Sequence, residues 1–418
     1  MRKTAMFRRS LPVAVLGLLG ATALSAQVPS NNPTVRAVLD GIKADQAWTL
    51  QQQRSVCEIA APPFKEAVRA AEVKRRFEAL GLTARIDAVG NVIAERAGAG
   101  GGPTVVLAGH LDTVFPEGTD VKVREVNGRL QAPGIGDDCR GLAVMLTVAR
   151  AFQQHKLATP GRVIFVADVG EEGPGNLRGM RELFGKDYPG RIDYFISIDG
   201  IGLGVVTRAV GSHRYHVTYK GPGGHSYGAF GIPNPVHALG RAIAMISDLQ
   251  VPTSPKTTFN VGVIQGGTSV NSIAFAASMD VDMRSESADE LAKLDVKVHH
   301  AIQAALEAEN ARWPGDRARL SVTIDTIGIR PTGSQADTAK IVRATLDAAR
   351  ALGFQGPTGA ASTDANIPIS LGIPAVTLSG GGAGGGAHSL QEWYQDTPNS
   401  YRGPQWAALL VATLAGVK

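Results

Sequence analysis

Residues 104–141 constrain this chain more than any other part of its sequence. They begin with the apolar, β-branched run Thr-Val-Val-Leu at 104–107, which predicts a short strand buried in a sheet. His110 and Asp112 follow that strand directly. Ligands of an open α/β sheet bind in the crevice beyond the carboxyl ends of its strands, so these two side chains are placed for chemistry.

Two later strands are predicted to end in acidic residues in the same way. The apolar run at 163–167 leads through an aspartate to Glu171 and Glu172, and the run at 194–198 leads into Asp199. Each of the three predicted strands is therefore followed by a histidine or by acidic residues. Because parallel strands end at the same edge of a sheet, these groups are expected to meet.

An adjacent pair of acids, Asp137 and Asp138, opens a predicted helix at 141–155. The helix dipole relieves part of the repulsion between two such charges, and a metal ion would relieve far more. His388 follows the glycine-rich run at 380–386. A histidine set with several Asp and Glu, and without a thiolate cluster, suits Zn²⁺ or a neighbour such as Co²⁺ or Mn²⁺.

Six short phrases, in order along the chain, resemble those of one enzyme family. They read GHLDTV, GIGDDCRG, GEEGPGN, SIDG, GGHS and GAHS, and they span nearly all of the chain after its first residues. The family is the di-zinc exopeptidases and deacylases, which include peptidase T, carboxypeptidase G, acetylornithine deacetylase and aminoacylase. The phrases are weak one by one, but their shared order makes chance an unlikely explanation.

The resemblance implies two zinc ions held by five side chains. Asp137 would bridge both ions, His110 and Asp199 would complete one site, and Glu172 and His388 would complete the other. A hydroxide bridging the two ions would then attack the amide bond of the substrate.

The residues alone leave two assignments open. The family pattern places the general base before the ligand in the acidic pair, so Glu171 is the predicted base and Glu172 the ligand. Chemistry alone would allow their exchange. Alignment of the helix start places Asp137 on the bridging position, and Asp138 stays as the alternative.

The resemblance also gives roles to four further residues. Asp112 would hold the ring of His110 as a hydrogen-bond acceptor outside the metal ligands. His225 would stabilise the oxyanion, in relatives often across a dimer, while Asn271 and Arg284 would hold a substrate carboxylate. A bidentate arginine is well suited to that clamp. A solvated arginine at a strand end, and an asparagine that only shapes a turn, are the structural alternatives.

The predicted fold class is α/β, with one domain inserted into another. After residue 210 the predicted elements run β-α-β-β-α-β, an order typical of a ferredoxin-like α+β domain. We therefore predict a metal-binding α/β sheet domain with an inserted lid or dimerisation domain. The predicted divisions are a signal peptide at 1–26, a first catalytic part at 27–210, the insert at 211–326 and a second catalytic part at 327–418.

The first residues have the pattern of a secretory signal peptide. Four basic residues precede an apolar run at 11–24, and Leu-Ser-Ala at 24–26 is a cleavage site, so a periplasmic or secreted enzyme is expected. Removal of those four charges lowers the net charge from +5 to +1. Because the sequence shows no basic cluster with interleaved aromatics, nucleic acid is disfavoured as a partner, and no later run predicts a membrane span.

Cys57 and Cys139 are too few for a disulfide framework, although they could pair. A thiolate ligand at Cys139 is conceivable beside Asp138, but a small buried residue is the preferred interpretation.

The leading functional hypothesis is a metal-dependent exopeptidase acting on short peptides, with a homodimer through the insert as a further expectation. Deacylation of N-acyl amino acids is the alternative within the family. A peptide-binding relative without catalysis is the alternative from another class.

Overall fold

The structure is a computed structural model, and it describes residues 28–313 and 318–418. The predicted signal peptide lies outside the described residues. The α-helices are α1 Pro33–Ala44, α2 Gln46–Cys57, α3 Ala67–Ala79, α4 Cys139–Gln154, α5 Arg178–Glu182, α6 Pro235–Ser247, α7 Ala288–Arg312, α8 Lys340–Ala351, α9 Asn366–Ser370 and α10 Arg402–Ala415.

The β-strands are β1 Thr83–Ile86, β2 Val92–Arg96, β3 Thr104–His110, β4 Arg124–Val126, β5 Arg129–Gln131, β6 Arg162–Asp168, β7 Tyr194–Ile198, β8 Val205–Ala209, β9 Gly211–Lys220, β10 Gly224–His225, β11 Thr257–Gly266, β12 Ser272–Ile273, β13 Ala276–Ser285, β14 Ser321–Arg330, β15 Gly333–Ser334, β16 Thr358–Ala361, β17 Ala375–Leu378, β18 Ala383–Gly385 and β19 Trp393–Gln395.

The larger sheet is mixed, with a parallel centre. Its strand order is β1-β2-β6-β3-β7-β17-β8-β15, and β16 pairs with β8. The strands β6, β3, β7 and β17 run parallel to one another, while β2 and β8 flank them in the antiparallel direction. The three strands predicted at 104–107, 163–167 and 194–198 are β3, β6 and β7. Their carboxyl ends lie at one edge of the sheet, next to that of β17.

Strand β3 is buried on both faces, as the central strand of a parallel sheet must be. Its side chains alternate between two cores: Val105 and Leu107 pack with α1, α4, α8 and α10, whereas Val106 and Ala108 pack with α5 and α9. Two helical layers therefore cover the sheet, and its carboxyl edge is left to carry the site.

Residues 211–330 form a second, antiparallel sheet with order β11-β13-β9-β14. The chain runs strand, helix, strand, strand, helix, strand, and α6 and α7 cover one face with a separate apolar core. Ser287 caps α7 by accepting a hydrogen bond from the backbone N–H of Glu290. The sheet continues to Arg330, past the boundary predicted at residue 326.

The uncovered face of this second sheet is turned towards the first. Arg214 on β9 donates a hydrogen bond to the carbonyl oxygen of Gly173, which follows Glu172 in the loop after β6. The two chain connections between the sheets are held together by buried Asn366, whose side-chain N–H groups donate to the carbonyls of Val210 (2.8 Å) and Pro331 (2.9 Å).

Cys57 and Cys139 form a disulfide that joins the end of α2 to the start of α4. Cys139 is the small buried residue that was expected, the possible pairing with Cys57 is present, and its sulfur is not available as a metal ligand. Among the helices of residues 28–313 and 318–418, none has the length and apolar character needed to cross a bilayer.

Candidate metal centre

The carboxyl edge of the larger sheet brings the predicted ligands together. His110 ends β3, Glu172 lies four residues beyond β6, and Asp199 directly follows β7. Asp137 comes from the loop before α4, and His388 from the segment between β18 and β19. His110 and Glu172 are buried, while His388 is exposed, so the cluster opens towards solvent on one side.

Asp137 lies at the centre of this cluster because its two oxygens face different histidines. Its Oδ1 is 3.0 Å from Nε2 of His110, and its Oδ2 is 3.0 Å from Nε2 of His388. Nε2 of His388 is also 3.0 Å from Oε1 of Glu172. A carboxylate with one oxygen turned to each side is the arrangement that a bridge between two metal ions requires.

Two ligand groups share that aspartate. His110, Asp137 and Asp199 have ligand atoms within 4.8 Å of one another, and so do Asp137, Glu172 and His388. These are the two sets that the resemblance implied. A third group joins His110 and Glu172 to Glu171, which places Glu171 beside both sets.

The carboxylates and histidines of the cluster shift one another's pKa values. Desolvation raises the pKa of Asp199 to about 7, and the charge of Asp137 adds to the rise. Hydrogen bonds to Asp137 and Glu172 raise the pKa of His388 to about 10. Burial acts to lower the pKa of His110, but the hydrogen bond to Asp137 and the surrounding carboxylates raise it overall. The cluster therefore favours positive charge at the imidazole nitrogens, and metal cations bound there would supply it.

Asp138 has a different function from its neighbour. Its side chain caps α4 by accepting from the backbone N–H of Gly141 (2.9 Å), and it also accepts from the backbone N–H of His110 (3.1 Å). Asp138 is fully buried, and its oxygens are directed at backbone groups. The geometry thus favours Asp137 over Asp138 as the bridge.

Asp112 meets the ring of His110 through its backbone oxygen. Nδ1 of His110 is 3.0 Å from the backbone oxygen of Asp112, whereas the Asp112 carboxylate is 3.9 Å away from that nitrogen. The carboxylate accepts instead from three successive backbone N–H groups, those of Gly170, Glu171 and Glu172, at 2.9, 3.1 and 2.9 Å. Asp112 therefore orients His110 through its main chain and fixes the acidic loop through its side chain.

Arg330 is a residue of the site that the sequence reasoning missed. Its guanidinium donates to Oε1 of Glu171 (3.1 Å), to Oγ of Ser362 (3.1 Å) and to the backbone oxygen of Glu171. Burial raises the pKa of Glu171, and the charge of Arg330 offsets part of that rise. The only sequence signal was position, since Arg330 follows a predicted strand near the end of the insert. Ser362 directly follows β16, in the segment before α9.

Arg284 lies on the strand across β9 from this arginine, and no hydrogen bond joins the two in the described chain. Arg284 and Arg330 are each paired in register with Ser212 of the intervening strand β9, so the three side chains share a face. Arg330 reaches Glu171, so that face looks towards the cluster. Arg284 is half-exposed and donates to Asp282 at 2.8 Å.

His225 and Asn271 lie together at another part of the insert. They sit on and beside the short β10–β12 pair, where the backbone N–H of Ser226 donates to the carbonyl of Asn271. Both side chains are exposed, and within the described residues their hydrogen bonds stay inside the insert. The structure does not bring these two residues into contact with the metal ligands.

A model of the peptidase family M20/M25/M40 matches residues 106–412, which include each predicted ligand. The chain belongs to the M20/M25/M40 peptidase family. It is therefore a hydrolase, and the cluster around Asp137 is its candidate metal centre.

Relatives of this M20/M25/M40 family member match it over different lengths. The uncharacterized protein YqjE of Bacillus subtilis is 25% identical over 349 residues, which cover 79% of this chain and 90% of YqjE. Succinyl-diaminopimelate desuccinylase of Nitrosospira multiformis is 27% identical over 237 residues, or 51% of this chain and 62% of the desuccinylase. A tripeptidase structure from Staphylococcus aureus matches with a TM-score of 0.72 and 21% identity, covering 88% of this chain and 98% of the tripeptidase. This last match shows a shared fold.

Two isosteric substitutions distinguish the roles of the neighbouring Asp137 and Asp138 in this M20/M25/M40 enzyme. We expect Asp137→Asn to lose bound metal, because the amide keeps one acceptor oxygen and cannot serve two ions. Asp138→Asn should keep more metal than Asp137→Asn, because its remaining oxygen still caps α4 at Gly141, although its N–H₂ group then faces the backbone N–H of His110. Metal content of the two purified variants checks this. The reverse result, with metal lost only from Asp138→Asn, would assign the bridge to Asp138.

Proposed function

We propose that this hydrolase is an exported exopeptidase that uses two metal ions to release amino acids from short peptides. The observation that carries the proposal is the pair of ligand groups that share Asp137, with Glu171 beside both. Because the ligands and the base lie together, the alternative of a peptide-binding relative without catalysis has no support in the site.

The proposed cofactors are two Zn²⁺ ions, with Co²⁺ or Mn²⁺ as substitutes, since the donors are imidazole and carboxylate. When bound, such a pair activates a water molecule and polarises the carbonyl of the scissile bond. Asp137 would contact both ions, with His110 and Asp199 on one and Glu172 and His388 on the other.

Glu171 is the proposed general base. It is buried beside the ligand groups, and among the residues that the structure describes only its Oε1 accepts from the Arg330 side chain. Its second carboxylate oxygen can therefore take a proton from water and pass that proton to the leaving amine. The ion pair favours this assignment over the exchanged one, because Arg330 already neutralises Glu171 while Glu172 faces His388.

We expect Glu171→Gln to keep both metals and to lower kcat by about 10²–10⁴-fold, because the amide preserves shape but accepts no proton. Metal content and turnover are measured on the same preparation. Glu172→Gln is the matched variant, and it should lose metal. If Glu172→Gln instead keeps its metals and loses turnover, the two roles are reversed.

The insert would supply the groups that hold the substrate. Nδ1 of His225 accepts from the backbone N–H groups of Tyr227 and Gly228, both at 3.2 Å. The neutral ring therefore carries its proton on Nε2, which suits it to donate to an oxyanion. Asn271 lies beside this pair. Arg284 would bind the substrate carboxylate, since its face of the sheet looks towards the cluster, and closure of the insert would complete the site.

Arg284→Ala should raise KM for a peptide with a free carboxylate by about one to two powers of ten, as loss of a charge-assisted hydrogen bond of roughly 1.5–3 kcal/mol implies. The matching peptide amide should be little affected. Arg208→Ala serves as the control, because Arg208 is exposed on β8 and pairs only loosely with Glu286, at 3.9 Å. Equal effects on acid and amide would make Arg284 a structural residue.

The sequence match to a succinyl-diaminopimelate desuccinylase favours a second candidate, the deacylation of an N-acyl amino acid by the same residues. Rates on dipeptides, tripeptides and N-acetyl amino acids separate the two, since they differ only in the group beside the scissile bond. Each rate is measured with and without a chelator. Hydrolysis that a chelator leaves unchanged would contradict both candidates.

Export is supported by the signal pattern and by the Cys57–Cys139 disulfide, because disulfides persist mainly in oxidising compartments. We expect the mature protein to begin near Gln27, and mass spectrometry of its N-terminus checks this. A chain that retains Met1 in the cytoplasmic fraction would refute export.

A homodimer through the insert is also proposed. Strand β11 is an edge of the second sheet, and large apolar side chains are exposed on it and around the β10–β12 pair: Tyr227, Ile264, Val270 and Phe275. A second copy of the insert could cover them.

A further inference from the structure

Three backbone N–H groups of the loop that carries Asp137 converge on a single carboxylate, that of Glu392. Oε1 of Glu392 accepts from Gly136 (2.8 Å) and Asp137 (2.9 Å), and Oε2 accepts from Gly134 (2.9 Å). The Glu392 side chain is buried, so these bonds are shielded from water. Both oxygens are directed at the main chain of this loop.

The close approach of the loop to Glu392 and the conformation of its backbone both favour glycine. A Cβ at Gly136 would lie 3.1 Å from Oε1 of Glu392, and Gly134 has a φ of +78°, in the left-handed region. The hydrogen bond to the N–H of Asp137 fixes the backbone from which its side chain projects. The direction of the two Asp137 oxygens therefore depends on Glu392.

Glu392 also belongs to the segment that carries His388, the other histidine facing Asp137. It lies four positions after His388, and its own backbone oxygen accepts from the N–H of Ala132 at 3.1 Å. Glu392 thus joins two parts of the chain that are about 250 residues apart, and each part supplies one side of the 3.0 Å contact between His388 and Asp137.

A second buried carboxylate binds the loop that carries Glu171 and Glu172 in the same way. The Asp112 carboxylate accepts from three successive N–H groups around Glu171 and Glu172, as Glu392 does around Asp137. Two buried carboxylates therefore bind the main chains of the two loops, while the side chains of those loops form the centre.

We propose that Glu392 is a positioning residue for the metal centre: it binds the backbone of the Asp137 loop and sets that aspartate against His388. The inference rests on the proposed function, because it concerns the affinity of the same two-metal site. Residues outside the ligand set that orient a metal ligand commonly change metal affinity by about 10–100-fold when they are replaced.

The test is Glu392→Gln in the full enzyme. The amide keeps the size of the side chain but turns an N–H₂ group towards at least one of the three N–H donors, so the loop must shift. We expect affinity for Zn²⁺, measured by competition with a chelator, to fall by about 10–100-fold, and excess Zn²⁺ to restore kcat. The control is Glu125→Gln, which replaces an exposed acid of β4, the edge strand of a four-stranded sheet with order β18-β19-β5-β4. It removes the same charge and should leave zinc affinity unchanged.

Wild-type zinc affinity in Glu392→Gln would overturn the proposal, as would a loss of activity that excess zinc does not restore. A merely structural role would lower the thermal midpoint of the metal-free protein without a rescue by zinc, and this result would also overturn it. If the wild-type enzyme itself binds no divalent metal, the proposed function fails together with this inference. If the wild-type enzyme binds zinc and Glu392→Gln binds it with the same affinity, this inference fails and the proposed function stands.

Discussion

The structure depends on one electrostatic constraint: several carboxylates must lie within a few ångströms of one another at the edge of a sheet. Asp137 is placed between His110 and His388, and Glu172 and Asp199 lie in the same cluster. Such a group is costly without positive charge, because desolvation and repulsion both disfavour ionised acids. The imidazole and carboxylate donors of the cluster suit metal cations, which would supply that charge.

The surrounding acids divide according to what their oxygens contact. Asp112, Asp138 and Glu392 direct their oxygens at backbone N–H groups, so they hold loops and the start of a helix. Asp137 and Glu172 direct oxygens at histidine nitrogens, so they face the centre. Similar side chains thus have opposite functions, and hydrogen-bond partners distinguish them better than residue type does.

The proposed base lies where the two sheets of the chain meet. Arg330 ends the last strand of the insert, yet its guanidinium is buried against Glu171 and Ser362 of the larger domain. Asn366 holds the two connections together close by. Any movement of the insert about these connections would therefore also move the partner of Glu171, which links the proposed base to the face of the insert proposed to hold the substrate.

The sequence by itself determined the layout of the centre. Buried apolar runs predicted β3, β6 and β7, and because parallel strands end at one edge, the residues after them had to meet. The sequence did not determine that Cys57 and Cys139 pair across 82 residues or that Arg330 is the partner of Glu171. It also did not determine that the Asp112 carboxylate accepts from backbone N–H groups. Those depend on side chains reaching backbone groups of segments distant in the chain. Backbone N–H groups have no signature in residue type, so only the tertiary structure could show that Asp112 and Glu392 bind main chain while Asp137 keeps both oxygens for the centre.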